Sequence, residues 1–134
     1  METGEWTRIL IHDLNAWMGQ KHGQMNFHLT QNMGGHGCFQ KYLFKIGKVE
    51  ASECTHCSQA QEDDSRHTVF VCDAWHQERS ELKRSLKQIG EKEEFAPVTM
   101  VLIMLQSEDG WEKVSAFACQ VGKRKMDAEW ARQA

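Results

Sequence analysis

The stretch Cys54-Thr55-His56-Cys57, followed by nine residues to His67 and four more to Cys72, is the part of this chain whose reading decides the fold. Three thiols and one imidazole form the donor set of a structural zinc ion. Thiolate and neutral imidazole are soft-to-borderline ligands, and four of them close a tetrahedron around an ion with no geometric preference of its own. The two-residue gap lets a tight turn aim Cys54 and Cys57 at one point, and the four-residue gap spans about one helical turn or a compact loop. Between the halves, Ser58 to Arg66 carries Glu62, Asp63, Asp64 and Ser65, which suit a solvated connection. The pattern reads as a CCHC site with Zn2+ as cofactor and Cys54, Cys57, His67 and Cys72 as ligands. The alternative is a set of buried thiols that merely cluster. A disulfide framework is weaker still.

The rest of the cysteine count agrees with that reading. Of five cysteines, Cys38 and Cys119 are left over as free thiols, which favours a reducing compartment, nuclear or cytoplasmic. The first residues, Met1 to Glu5, are acidic and lack the apolar core of a signal peptide. The longest near-apolar run, Val98 to Leu105, is too short to span a bilayer, so no membrane role is expected. At 134 residues, with 40% hydrophobic and 26% charged residues, the chain fits one globular domain. The formal net charge of -3 does not by itself favour a nucleic-acid partner, so any such contact must come from local patches.

Outward from the ligand stretch, helical periodicity dominates. On the N-terminal side, 6–48, Trp6, Leu10, Leu14, Trp17 and Met18 predict one amphipathic helix from Trp6 to Lys21, with Thr3 and Glu5 in cap and first-turn positions. Gly34, Gly35 and Gly37 mark an irregular turn, either a close approach between helices or an anion site. A second helix follows over Cys38 to Gly47, with Lys41, Lys45 and Lys48 on one face. On the C-terminal side, 74–134, Asp73 caps a helix over Ala74 to Ile89. Its apolar seam is Trp75, Leu82, Leu86 and Ile89, and Arg79, Lys83 and Lys87 form a separate stripe. Val98 to Leu105 is apolar almost all round, as in a buried helix or a partner interface. Asp109 caps a last helix from Trp111 to about Trp130, with Lys123, Arg124, Lys125 and Arg132 as a basic tip. The only strand-like stretch is Thr68 to Val71. The fold expected is all-α, about five helices with a zinc-stapled loop over 54–72.

Taken together, Leu29-Thr30-Gln31, Gly35-His36-Gly37-Cys38-Phe39, Tyr42-Leu43, Ile46-Gly47 and the Cys54 to Cys72 pattern carry a resemblance. They look like the C-terminal zinc-knuckle region of non-LTR retrotransposon reverse transcriptases of the jockey and related insect-type clades. The resemblance covers nearly the whole chain and is most specific from Gly35 to Cys72. Two departures are Ser58, where a glycine often follows the second cysteine, and Thr55, where a proline often stands. Neither removes a ligand.

The resemblance implies a fragment, cut out or free-standing, without the catalytic modules of the larger polyprotein. It also implies a role in binding RNA or DNA, with the same four residues as zinc ligands. Helix spacing, not the motif, supplies the contact candidates: Lys41, Lys45, Lys48, Arg79, Lys83 and Lys87. The expectation is a non-catalytic zinc-binding module that binds nucleic acid, with no small-molecule substrate. A closed four-ligand site leaves no position for a catalytic water. The rival is a protein-interaction module derived from a transposon fragment, in which zinc is purely structural.

Overall fold

The computed structural model describes residues 3–133. The all-α class holds: among the described residues the sole β pairing is an isolated antiparallel bridge between Glu53 and Glu62. Among the described residues seven α-helices run in order as α1 (Thr3–Leu10), α2 (Leu14–Gly19), α3 (Phe27–Gly34), α4 (Gln40–Lys45), α5 (His76–Gln88), α6 (Met100–Gln106) and α7 (Glu108–Gln133). Between α4 and α5 lie the ligand loop, a π-turn (His67–Val71) and a 3-10 turn (Asp73–Trp75). The long α7 is the spine. It packs against α3, α5 and α6, and one apolar cluster joins Trp6, Leu29, Val69, Leu86, Ile103 and Val114.

The single N-terminal helix expected from Trp6 to Lys21 is two helices. Asp13 takes an extended backbone, φ -122° and ψ 90°, and its carboxylate accepts from the Ala16 amide, so it starts α2 as an N-cap. The chain turns there, and Leu14 and Met18 leave the core; both are exposed. The cap expected of Thr3 lies outside the described side chains. Trp17 remains anchored by stacking on Trp111 at 5.2 Å between ring centroids. Trp111 in turn lies where a side chain on residue 23 would collide with it, 2.2 Å from a Cβ, which is why glycine stands at Gly23.

Helix α3 carries little apolar periodicity and was not expected. Asn26 caps it by accepting from the Leu29 amide, and Gly35 ends it with φ 74°. The second expected helix is shorter, Gln40–Lys45, and Ile46 is exposed. The third begins as a 3-10 turn and becomes α5 only at His76; no side-chain cap from Asp73 forms. The strand-like Thr68 to Val71 is the π-turn. α6 starts at Met100, buries Met100, Val101, Ile103 and Met104, and leaves Val98 exposed. The last helix begins earlier than expected, and its first turn is capped by Ser107, whose hydroxyl accepts from the Gly110 amide at 2.9 Å.

Three charged positions depart from the solvated roles that spacing suggests. Asp63 is 1% exposed and Lys125 3%. Lys125 Nζ donates to both carboxylate oxygens of Asp63, at 2.6 and 2.7 Å. So Lys125 leaves the expected basic tip, and the loop between the ligand halves, exposed over most of its length, is anchored through buried Asp63 and Ser65. The third is Arg79, described with the site below. Glu129 is also buried and accepts from the Gln40 side chain at 2.6 Å. Burial pushes the Glu129 carboxyl up, but hydrogen bonds from Gln133, Arg132 and Gln40 outweigh it and hold the pKa below the usual value.

Removing one partner of a buried, hydrogen-bonded ion pair leaves an uncompensated charge and costs about 3–5 kcal/mol. Lys125→Ala is therefore expected to lower the melting temperature by about 10–20 °C, and Lys125→Met combined with Asp63→Asn to recover part of that loss, both checked by thermal unfolding.

Candidate metal centre

The ligand stretch begins with a short antiparallel pairing. The Cys54 amide donates to the Gln61 carbonyl at 2.7 Å, and the Asp63 amide to the Ser52 carbonyl at 3.0 Å. The chain turns back through Ala60 at φ 50°, a left-handed backbone more easily taken by glycine. This pairing presents Cys54 and Cys57 on one side of the turn. The other half comes from the π-turn. Its first residue, His67, is fixed when its amide donates to Asp64 Oδ1 at 2.8 Å. Its end is closed when the Cys72 amide donates to the His67 carbonyl at 2.6 Å. That i to i+5 bond explains the four-residue gap: it brings His67 and Cys72 back together at one wide turn.

All four expected ligands meet. Their donor atoms lie within 4.8 Å of one another, and Cys54, His67 and Cys72 are buried while Cys57 is half-buried. Cys54 Sγ is 3.9 Å from Cys72 Sγ, and Cys57 Sγ is 3.5 Å from His67 Nε2. The sulfurs are well beyond disulfide length, and all five cysteines are free. Three sulfurs and one ring nitrogen converging on a common centre can hold a metal ion. His56 stays out of the set, tilted against Trp75 at 5.1 Å between centroids, and His76 is exposed.

Two further layers support the donors. The His67 ring faces the cluster through Nε2, while Nδ1 lies 3.2 Å from Gln61 Oε1. A proton on Nδ1 donated to Gln61 leaves the Nε2 lone pair for an ion and sets the ring angle. The His56 amide donates to Cys54 Sγ at 3.4 Å. Arg79 holds the π-turn from outside, its guanidinium donating to the carbonyls of Val69 (2.8 Å), Cys72 (2.9 Å) and Thr68 (3.2 Å). Arg79 is buried, so of the six positions expected to meet phosphate it is committed to the protein's own backbone. Lys45, Lys48, Lys83 and Lys87 are exposed, and Lys41 is half-buried with its ammonium 4.0 Å from Glu62.

Spacing identified the four donors but not Gln61, Asp63 or the role of Arg79. A glutamine at the end of a turn, or an arginine on a helix, carries no local signature of the carbonyl or ring it will reach. Comparisons with protein-family models, with curated proteins and with solved structures find no match to this chain.

Burial keeps the Cys54, His67 and Cys72 donors neutral before an ion binds. Burial pushes the Cys72 thiol up to about 12 and raises Cys54, while burial lowers His67. At neutral pH both thiols hold protons and the imidazole is neutral, so a metal must displace at least the protons of Cys54 and Cys72. Free-ion affinity is therefore expected to rise with pH, about 100-fold per unit for two displaced protons, as read by chelator-competition titration between pH 6.5 and 7.5. Gln61→Ala is expected to weaken metal affinity about 10- to 100-fold while Cys54, Cys57, His67 and Cys72 still bind one ion, as counted by native mass spectrometry.

Proposed function

We propose that this chain is a zinc-stabilised, non-catalytic module that binds nucleic acid. The observation that carries the zinc assignment is the geometry of the four donors. A tetrahedral zinc with bonds of about 2.3 Å to sulfur and 2.0–2.1 Å to nitrogen separates its ligand atoms by about 3.8 Å (S–S) and 3.6 Å (S–N). The separations here are 3.9 Å between Cys54 and Cys72 and 3.5 Å between Cys57 and His67. All four positions are filled by protein side chains, as in structural rather than catalytic zinc sites. When bound, the ion staples the hairpin to the π-turn.

Nucleic-acid binding is supported by where the remaining cations lie. Lys45 and Lys48 stand exposed at the end of α4, and Lys83 and Lys87 on successive turns of α5. Both helices flank the ligand loop, so the ion would hold two basic faces on one body. The resemblance of Gly35 to Cys72 to the retrotransposon zinc-knuckle region points the same way. The competing protein-interaction reading draws on exposed apolar side chains such as Leu14, Met18 and Val98.

A two-part experiment tests the proposal. Chelation is expected to release one zinc per chain and to abolish the cooperative melting transition, because structural zinc contributes on the order of 10 kcal/mol; an unchanged transition would sink the zinc assignment. Oligonucleotide titrations at several salt concentrations are expected to show affinity falling with salt, with a slope reduced by about 2 in Lys83→Glu/Lys87→Glu. Failure to bind any oligonucleotide at low salt would leave the protein-interaction reading.

A further inference from the structure

A groove of about 440 Å³ opens beside the ligand loop, between α1, the glycine turn, α4 and residues 64–66. That volume falls within the range of small-ligand sites, about 300–1,000 Å³. Its cations are Lys41 and Lys45 from α4 and Arg66 from the loop. Lys45 and Arg66 are exposed, and among the described residues neither has a carboxylate within ion-pairing distance. Two carboxylates share the lining, Glu5 and Asp64. Asp64 is already engaged, accepting from the His67 amide.

The apolar part of the wall is aromatic. Trp6 is buried and pinned by its ring N–H to the Asn32 carbonyl at 2.9 Å. Tyr42 is stacked on His36, 4.6 Å between centroids and 28° between planes, which holds the ring in one orientation beside the cations. Gly35, from the turn that sequence marked as either a close approach or an anion site, forms part of the same wall.

The metal loop fixes α4 in place. The Gln40 amide donates to Asp63 Oδ2 and the Lys41 amide to the Asp63 carbonyl, both at 3.0 Å. The wall bearing Tyr42, Lys41 and Lys45 is thus attached to the segment between Cys57 and His67.

We infer that this groove receives one unpaired nucleotide of a single-stranded nucleic acid, with its base against Tyr42 and its phosphates met by Lys45 and Arg66. The inference rests on the nucleic-acid reading above and assigns its site. A planar base and an adjacent anion match an aromatic wall whose three cations outnumber its two carboxylates. Base–aromatic stacking is tolerant of sequence and worth about 1–3 kcal/mol. A concave site excludes duplexes, whose bases are paired and stacked out of reach, so the groove distinguishes single strands from duplexes where exposed helix lysines do not.

The test is a fluorescence titration of the zinc-loaded full chain with labelled decamers of oligodeoxyuridylate and oligouridylate and with a ten-base-pair duplex. Variants are Lys45→Glu, Arg66→Glu, Tyr42→Ala and Lys83→Glu/Lys87→Glu, each matched to the parent protein for zinc content and melting temperature. Tyr42→Ala and Arg66→Glu are expected to weaken single-strand binding about tenfold or more while leaving duplex binding within twofold, and Lys45→Glu, which also removes a charge from the exposed basic face, to weaken single strands more than duplex. Lys83→Glu/Lys87→Glu should weaken both alike. The two decamers separate RNA from DNA: a preference for oligouridylate would assign the 2′-hydroxyl a contact in the groove. Groove variants that leave single-strand binding unchanged, while the α5 variant weakens it, would overturn the groove assignment and leave the nucleic-acid reading standing. No binding of any oligomer would overturn both.

Discussion

The carboxylate of Asp63 is the constraint on which the rest of the structure depends. It sits 1% exposed in the loop between the two halves of the candidate metal site. One oxygen accepts from the Gln40 amide and both take the Lys125 ammonium, while Thr68 Oγ1 donates to Oδ1 at 3.1 Å. A bare carboxylate at that depth would be prohibitively costly; this one is compensated from α4, α7 and the π-turn at once. The consequence is a junction: the ligand loop, the basic helix α4 and the spine helix α7 cannot shift independently without exposing an unpaired charge. Lys125 also lies over the Phe39 ring at 5.5 Å, which places the ammonium against the start of α4 from a second side.

A second polar girdle secures the other half of the site. A π-turn is an uncommon backbone. Arg79 ties it to α5, donating to the carbonyls of Thr68 and Val69 within it and of Cys72 just after it. On the far side, the Ser65 hydroxyl and the Trp6 indole both donate to the Asn32 carbonyl, tying the loop to α3 and α1. The metal donors are therefore held by a framework that does not itself consist of metal bonds. An ion contributing on the order of 10 kcal/mol, against a typical total stability of 5–15 kcal/mol, would still decide whether that framework forms.

A net charge of -3 does not say where the individual charges lie. Several charges are consumed internally: Lys125 by Asp63, Arg124 by Glu78 at 2.5 Å, Arg132 by Glu129, and Arg79 by backbone carbonyls. Lys45, Lys48, Lys83, Lys87 and Arg66 remain exposed. Counting residues cannot separate these two groups, because an internal arginine and a surface lysine contribute equally to net charge.

What the sequence determined by itself was whatever depends on short separations along the chain. The helical class follows from apolar residues three and four apart, and the donor set from cysteines and a histidine within nineteen consecutive residues. Gly47 and Gly90 end their segments with positive φ, 79° and 87°, as local chemistry dictates. Tertiary structure alone decided which polar residues went inside. Asp63 and Lys125 are 62 positions apart, Gln40 and Glu129 are 89, and neither member of either pair carries a local sign of its partner. The Asp13 cap that breaks the helix is local, but the exposure of Leu14 and Met18 depends on how α2 docks beside α6. The helical period persists through the break, but a period records only spacing, not which face the rest of the molecule will cover.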